Sequence, residues 1–447
     1  MPFLVAIGYA AALFALAALA ESRRQTLGRS RLRLPAYALA LPVYCTSWTF
    51  FGAVGSSVAE GWNYVPIYLG PILVYLFAPG FLRALVREVQ AEGATSISDF
   101  IGSRFGKSRG VAALVTLLAL FGSIPYLALQ LRSIGTGYVV ITGKGGPMVP
   151  MTVAALLLGL FAIAFGTRRY VASSRNEAVL YVIAIESLVK LAAMVVIGLF
   201  AALLFLAAPD AQRIAGAARF GDIFALRAID GDFLVICLLS MAAILCLPRQ
   251  FYIGVIGAGD PEDAMRARWP FALYLVVIAL VVLPISLAGM TVPPPGIAPD
   301  LLVLGLPLYH GEQALALFAF LGGFSAATGM VVVETIALST MLSNDLIAPL
   351  MLRRSSAGGE ADLGRMMLHV RRVVIVAVMG AALAYARTVS ESERLAVIGL
   401  TAFAAMAQFA PALILAVRRG NRDAAAAKAG LLAGLAVWGY TLFLPEL

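Results

Sequence analysis

Histidine is almost missing from this chain. Only His310 and His369 occur among 447 residues, which argues against histidine-based metal centres or acid–base chemistry. Cysteine is nearly as scarce. Cys45, Cys237 and Cys246 all fall in apolar segments and give neither a disulfide framework nor metal-ligand spacing. Charge is scarce too: 13% of residues are Asp, Glu, Lys or Arg, against 61% hydrophobic. Such a balance excludes a soluble enzyme of this length. What the chain has instead is apolar runs of about 18 residues or more, recurring from end to end, the mark of membrane spans.

Twelve spans are predicted, at 3–20, 35–58, 64–82, 111–140, 151–167, 177–207, 232–248, 269–290, 314–342, 372–387, 395–417 and 429–445. The first reads as a retained helix, because it has no basic leader and ESRRQTLGRSRLR follows it directly. Nearly all Lys and Arg fall in loops 21–34, 83–110, 168–176, 249–268, 343–371 and 418–428. The alternate loops hold only Lys144, Arg213, Arg219, Arg227 and Arg394. The positive-inside rule then places the amino terminus outside and the basic loops in the cytoplasm. The net charge of +9 is explained by topology, so no nucleic-acid partner is expected.

Two spans look interrupted. YCTSWTFFGAVGSSV, residues 44–58, is rich in hydroxyls and glycine where lipid alone would ask for leucine and valine. In CLPRQFYIGVIG, residues 246–257, Pro248 removes a backbone donor. Each feature alone reads equally as helix packing by small residues or as a site. Together they stand five spans apart, as in an inverted repeat, and paired broken helices point to a binding site near the midplane. Ionisable residues inside spans are costly and usually functional. Arg132, Glu186, Lys190 and Glu334 lie within spans, and Arg387 snorkels near a membrane end. Glu186 and Lys190, at i and i+4, share a helix face and are expected to pair. The pair is either a structural lock or a proton-linked, cation-substituting device. Glu334 is expected to face a cavity or a partner such as Lys190. Arg249 is read as a cytoplasmic anchor in preference to a solute contact.

The order of these segments resembles the sodium/solute symporter family. TSISDFIGSRFG (95–106), FGTRRYVASSRNEAV (165–179) and LPRQFYIGVI (247–256) stand where that family has its characteristic motifs. The likeness is narrower for YCTSWTFFGAVG (44–55), IPYLALQLRSIG (124–135), ESLVKL (186–191), LPRQFYIGVI and GGFSAATGMVVVETIALSTMLSNDL (322–346). These resemble the transporter-type amino-terminal domain of bacterial sensor histidine kinases, including hybrid ones.

The resemblance implies an all-α polytopic membrane protein with a leucine-transporter-like inverted-repeat fold. Residues 35–207 and 232–417 would be the two five-helix repeats, 3–20 an extra N-terminal helix and 429–445 an additional one, within a single transmembrane domain covering 1–447. It also implies a bacterial inner (plasma) membrane location and a small polar solute, an amino acid such as histidine or proline. Na+ or H+ would be the coupling ion, and no other cofactor is expected. By resemblance, the carbonyls of Cys45 and Trp48 and the hydroxyls of Ser325 and Thr328 are sodium-site candidates. Glu186, Lys190 and Glu334 are candidates for the proton or charge pair. Ser47, Thr49, Phe51, Tyr126, Gln130, Gln250 and Tyr252 are solute-binding candidates, although Tyr126 also reads as a packing tyrosine.

The family pattern is not matched everywhere. Ser47 stands where the family has an acid, and Ser173-Ser174-Arg175 stand where it has a Trp-Thr-Asp run. Lys190 falls where some proton-coupled relatives of this fold use a lysine in place of sodium. No kinase sequence can be read in the chain, whereas the resemblance implies a thirteenth crossing and a cytosolic kinase, in cis or in trans. The readings are therefore a sensor module of a two-component system, a free-standing secondary transporter, and a solute receptor that no longer transports.

Overall fold

The structure, a computed structural model, describes residues 2–166, 176–226, 229–352, 360–388, 395–418 and 422–446. Every regular element among these residues is helical. Nine helices are long and apolar enough to cross a membrane, and three bent pairs bring the number to twelve, so the chain is a multi-pass membrane protein. Helices satisfy their own backbone polar groups, which the lipid interior cannot do.

All twelve predicted spans have counterparts, but three are bent. The second runs from Arg33 to Tyr44, breaks, and resumes from Trp48 to Tyr64 at 71°. The third turns by 79° between Phe77 and Pro79. Its second part, Pro79–Glu92, is an amphipathic helix that buries Leu82, Leu85, Val86 and Val89. The single crossing expected over 64–82 fails there because Pro79 cannot donate to the preceding turn. The seventh span, Gly231–Cys246, bends by 51° and continues as Pro248–Ile256. It therefore extends past the expected boundary at 248, into what the sequence suggested was a loop.

The ninth span, Gln313–Met351, is the central post, with 83% of its most apolar window buried. Its run of small residues explains why. A Cβ on Gly323 would lie 2.1 Å from the Phe51 ring, and one on Gly322 would lie 2.4 Å from Ala193. One on Gly329 would meet a Glu186 carboxylate oxygen at 2.7 Å. Close approach of this kind drives helix association in lipid, where apolar burial alone gives no preference. The glycines thereby bring the second and sixth spans onto the ninth. The first helix, Pro2–Ser22, joins them through Tyr9, whose hydroxyl donates to Ser325 Oγ at 2.9 Å. The last span, Ala424–Phe443, is peripheral, with 11% of its window buried.

Candidate functional site

The first break exposes the carbonyl end of a half-helix. Residues Leu41–Tyr44 tighten into a 3-10 turn, and Cys45 then becomes extended. Carbonyls at such an end carry partial negative charge and attract cations. The cation here comes from the protein. Lys190 Nζ, on the sixth span, donates to Pro42 O at 2.6 Å and to Cys45 O at 2.8 Å.

The break is also held from the fourth span. Gln130 Oε1 accepts from Ser47 N at 3.0 Å, and Ser133 Oγ donates to Ser47 Oγ at 2.6 Å. Thr46 Oγ1 and the Tyr126 hydroxyl share a hydrogen bond of 2.9 Å. Thr49 Oγ1 donates back to Thr46 O at 2.9 Å. Beyond the break the helix is wound wide, with Ala53 N donating to Trp48 O five residues back. Wide turns of this kind gather at functional sites.

Glu186 and Lys190 form no direct ion pair, although each still feels the charge of the other. Lys190 serves the two carbonyls, while the Glu186 carboxylate accepts from Thr328 Oγ1. Ser325 Oγ donates to the Glu186 carbonyl at 2.9 Å. The two residues share a helix face, but the better donors for each come from other helices. This arrangement bears on sodium. Cys45 O accepts from an amine, Trp48 O from its own helix, and both candidate hydroxyls are engaged with Glu186. As placed, the Lys190 amine and the Glu186 oxygens already engage three of the four candidate oxygens.

The second break presents the opposite end of a half-helix. Leu247 is extended, and Pro248 opens the next turn. Arg249 N donates to Glu334 Oε2 at 3.2 Å, and Arg249 Nη1 lies 3.4 Å from the same oxygen. Both side chains are completely buried. Ser123 Oγ donates to the other oxygen of Glu334. The Arg249 guanidinium also lies over the Tyr126 ring, 4.6 Å from its centre.

Arg249 is therefore no cytoplasmic anchor, and the partner of Glu334 is Arg249 in place of Lys190. The sequence reading missed it because arginine just past a hydrophobic run usually reaches for the interface. The available signal was the span's continuation beyond Pro248, which puts residue 249 inside the protein. The next side chain, Gln250, is buried and its amide nitrogen has no partner.

Tyr126 joins the two breaks. With Tyr44, Trp48 and Phe403 it forms an aromatic cluster, including a Trp48–Phe403 contact with ring centres 4.9 Å apart. Phe51 packs on Gly323 instead. Tyr252 stands apart from this set, beside Asn176, Glu177 and Gly257 in a small separate cavity. The structure thus brings Ser47, Thr49, Tyr126 and Gln130 together at the first break and sets Tyr252 elsewhere. Ser173, Ser174, Arg175, Arg227 and Arg394 lie outside the described residues.

The two ends of the bundle differ. At one, a cavity of about 810 Å³ is lined by Glu60, Asp222, Asp230 and Asp232, with Leu400, Thr401 and Ala404 in its wall beside Phe403. At the other, Arg33 ties four segments together. It bonds Glu177 at 3.1 Å, Asp263 at 3.0 Å and the Gly257 carbonyl at 2.8 Å. One turn further in, the Tyr37 hydroxyl donates to Gly254 O at 2.6 Å.

No family model and no curated protein matches the sequence. Solved structures do match in fold. A Na+-coupled sialic acid symporter, in a substrate-bound outward-open state, superposes with a TM-score of 0.71 at 15% identity, over 98% of this chain and 91% of that one. The Eremococcus coleocola manganese transporter superposes with a TM-score of 0.53 at 13% identity, over 94% of this chain and 88% of that one. These likenesses show the fold: an all-helical, leucine-transporter-like inverted repeat with an extra helix at the start and another at the end.

Proposed function

We propose that this chain carries a small polar solute across a bacterial inner membrane by alternating access, with coupling to protons through Lys190. Residues 35–207 and 232–417 are the two repeats, and the basic end faces the cytoplasm. The solute is seated between the breaks, against Ser47, Thr49, Tyr126, Gln130 and Gln250. The acidic cavity is the outer entrance, and the Arg33 ties close the inner one. The observation that carries the reading is the Lys190 amine on the carbonyls of Pro42 and Cys45. An amine that fills the cation position can release its hold when it loses a proton, which links proton movement to the geometry of the break.

The test is uptake of labelled amino acids, histidine and proline first, into proteoliposomes under separate sodium and proton gradients. Uptake driven by the proton gradient, and loss of its pH dependence in Lys190→Met, is the expected result. Sodium-driven uptake that survives Lys190→Met overturns the coupling assignment.

A second reading, the sensor module of a histidine kinase, rests on the resemblance of segments 44–55, 124–135, 186–191, 247–256 and 322–346 to such domains. The DNA after codon 447 discriminates: an in-frame crossing followed by a kinase favours the sensor, and a stop codon favours the free-standing transporter.

A further inference from the structure

The guanidinium of Arg249 is only half used. Its flat face lies over Tyr126, and Nη1 together with the backbone N–H meets Glu334. The remaining edge carries Nε and Nη2, and neither atom has a hydrogen-bond partner among the described residues, although the side chain is completely buried. Gln250 Nε2, at the same break, is a third buried nitrogen without a partner. Buried donors left unsatisfied are costly and uncommon, and each asks for an acceptor. The pattern of these three is specific. All are donors, and Nε with Nη2 forms the side-on fork of arginine, whose two parallel N–H bonds match the two oxygens of a carboxylate.

Building on the solute-carrying reading, we propose that the solute bears a carboxylate, which Arg249 receives on its Nε–Nη2 edge with Gln250 Nε2 as a further donor. Charge balance sharpens the class. At the second break Arg249 is already countered by Glu334, both completely buried. A carboxylate added to this set needs one positive charge to enter with it, because an uncompensated buried charge is strongly unfavourable. The charge is carried by the solute itself, as in a zwitterionic amino acid, or by a proton taken up alongside a simple carboxylate.

The experiment is thermal unfolding of the purified full chain in lipid nanodiscs. The probes are the twenty amino acids, lactate, pyruvate and sialic acid, each compared with its carboxamide, together with neutral sugars and simple amines. At least one carboxylate is expected to raise the unfolding temperature, with its carboxamide binding about tenfold or more weakly. Arg249→Lys keeps a cation for Glu334 but loses the fork. It is expected to unfold near the wild-type temperature without solute and to bind the carboxylate about tenfold to a hundredfold more weakly.

Stabilisation by no carboxylate at millimolar concentration overturns the proposal. So does equal binding of acid and amide, or unchanged affinity in Arg249→Lys. An amino acid hit together with silence from lactate and pyruvate assigns the balancing charge to the solute. Hits from simple carboxylates that strengthen as pH falls assign it to a proton. The two readings fail separately: carboxylate binding without gradient-driven uptake defeats transport alone, and gradient-driven uptake of a neutral sugar defeats the carboxylate alone.

Discussion

The two helix breaks have the same architecture and opposite chemistry. At the first, a half-helix ends and its carbonyls at Pro42 and Cys45 are taken by an amine from another span. At the second, a half-helix begins and its first free N–H, on Arg249, is taken by an acid from another span. Each borrowed charge has the sign that the helix dipole favours at that end. They differ in how complete the arrangement is. Lys190 is matched to its carbonyls, whereas Arg249 keeps two buried nitrogens unmatched. A finished polar cluster acts as structure, and an unfinished one acts as a receiver. On the proposed reading, the first break holds the coupling charge and the second receives the solute.

The largest test of this contrast is to remove one charge at the second break. Glu334→Ala leaves Arg249 buried with no counter-charge and is expected to cost about 3–5 kcal/mol of stability, seen as a collapse of the folded fraction in detergent. Arg249→Leu with Glu334→Leu, which removes both charges, is expected to recover most of that stability while abolishing solute binding. If the double variant still binds solute, the second break is not the receiver.

At the first break, Lys190→Met leaves the carbonyls of Pro42 and Cys45 without their donor. The expected cost is about 2–3 kcal/mol, measured as a lower midpoint of thermal unfolding. Affinity for solute is expected to change less than in Arg249→Lys. Equal losses of affinity in the two variants would break the division of labour. A smaller effect is expected from Gly323→Ala, whose added methyl meets the Phe51 ring. It is expected to cost about 1–3 kcal/mol by pushing the second span off the ninth, and to leave the pH dependence of uptake in place.

How far the sequence shows this arrangement depends on the kind of interaction. The spans, the two interruptions and their spacing are legible because hydropathy, Gly and Pro act locally along the chain. Lys190 near the first break is legible by resemblance. The Glu186–Lys190 pair is instructive, because the two charges act on each other without a direct bond. Helical spacing shows that two side chains can meet, but Thr328 and the carbonyls of Pro42 and Cys45 come from distant segments and compete for the same atoms. Arg249 was missed for a related reason. Its burial depends on where the seventh span ends, and that is decided by a bend at Leu247 that puts the following turn back inside the bundle. The aromatic cluster depends on three spans meeting and leaves no periodic trace in any one of them.

Besides the link through Tyr126, the half-helices are tied directly to each other at the basic end. Tyr37, on the first half of the second span, bonds Gly254, and Arg33 bonds Gly257, both on the second half of the seventh. Arg33 also holds Glu177 and Asp263, so one side chain clamps the starts of three spans to the end of a fourth. The acidic cavity lies at the opposite end. If the clamp keeps the inner route shut, loosening it must favour the opposite conformation with little loss of fold. Arg33→Gln keeps some hydrogen bonding while removing the charge, and is expected to cost about 1–3 kcal/mol because Glu177 and Asp263, both largely buried, lose their cation. The readout is native. Cys45 and Cys246 flank the two breaks and are buried. Alkylation of each by N-ethylmaleimide, followed by mass spectrometry, is expected to speed up severalfold in Arg33→Gln at both positions together. Joint acceleration means the breaks open as one unit, as alternating access requires. Acceleration at Cys246 alone would mean that the second break moves against a fixed first one, and the contrast between them would then extend from chemistry to motion.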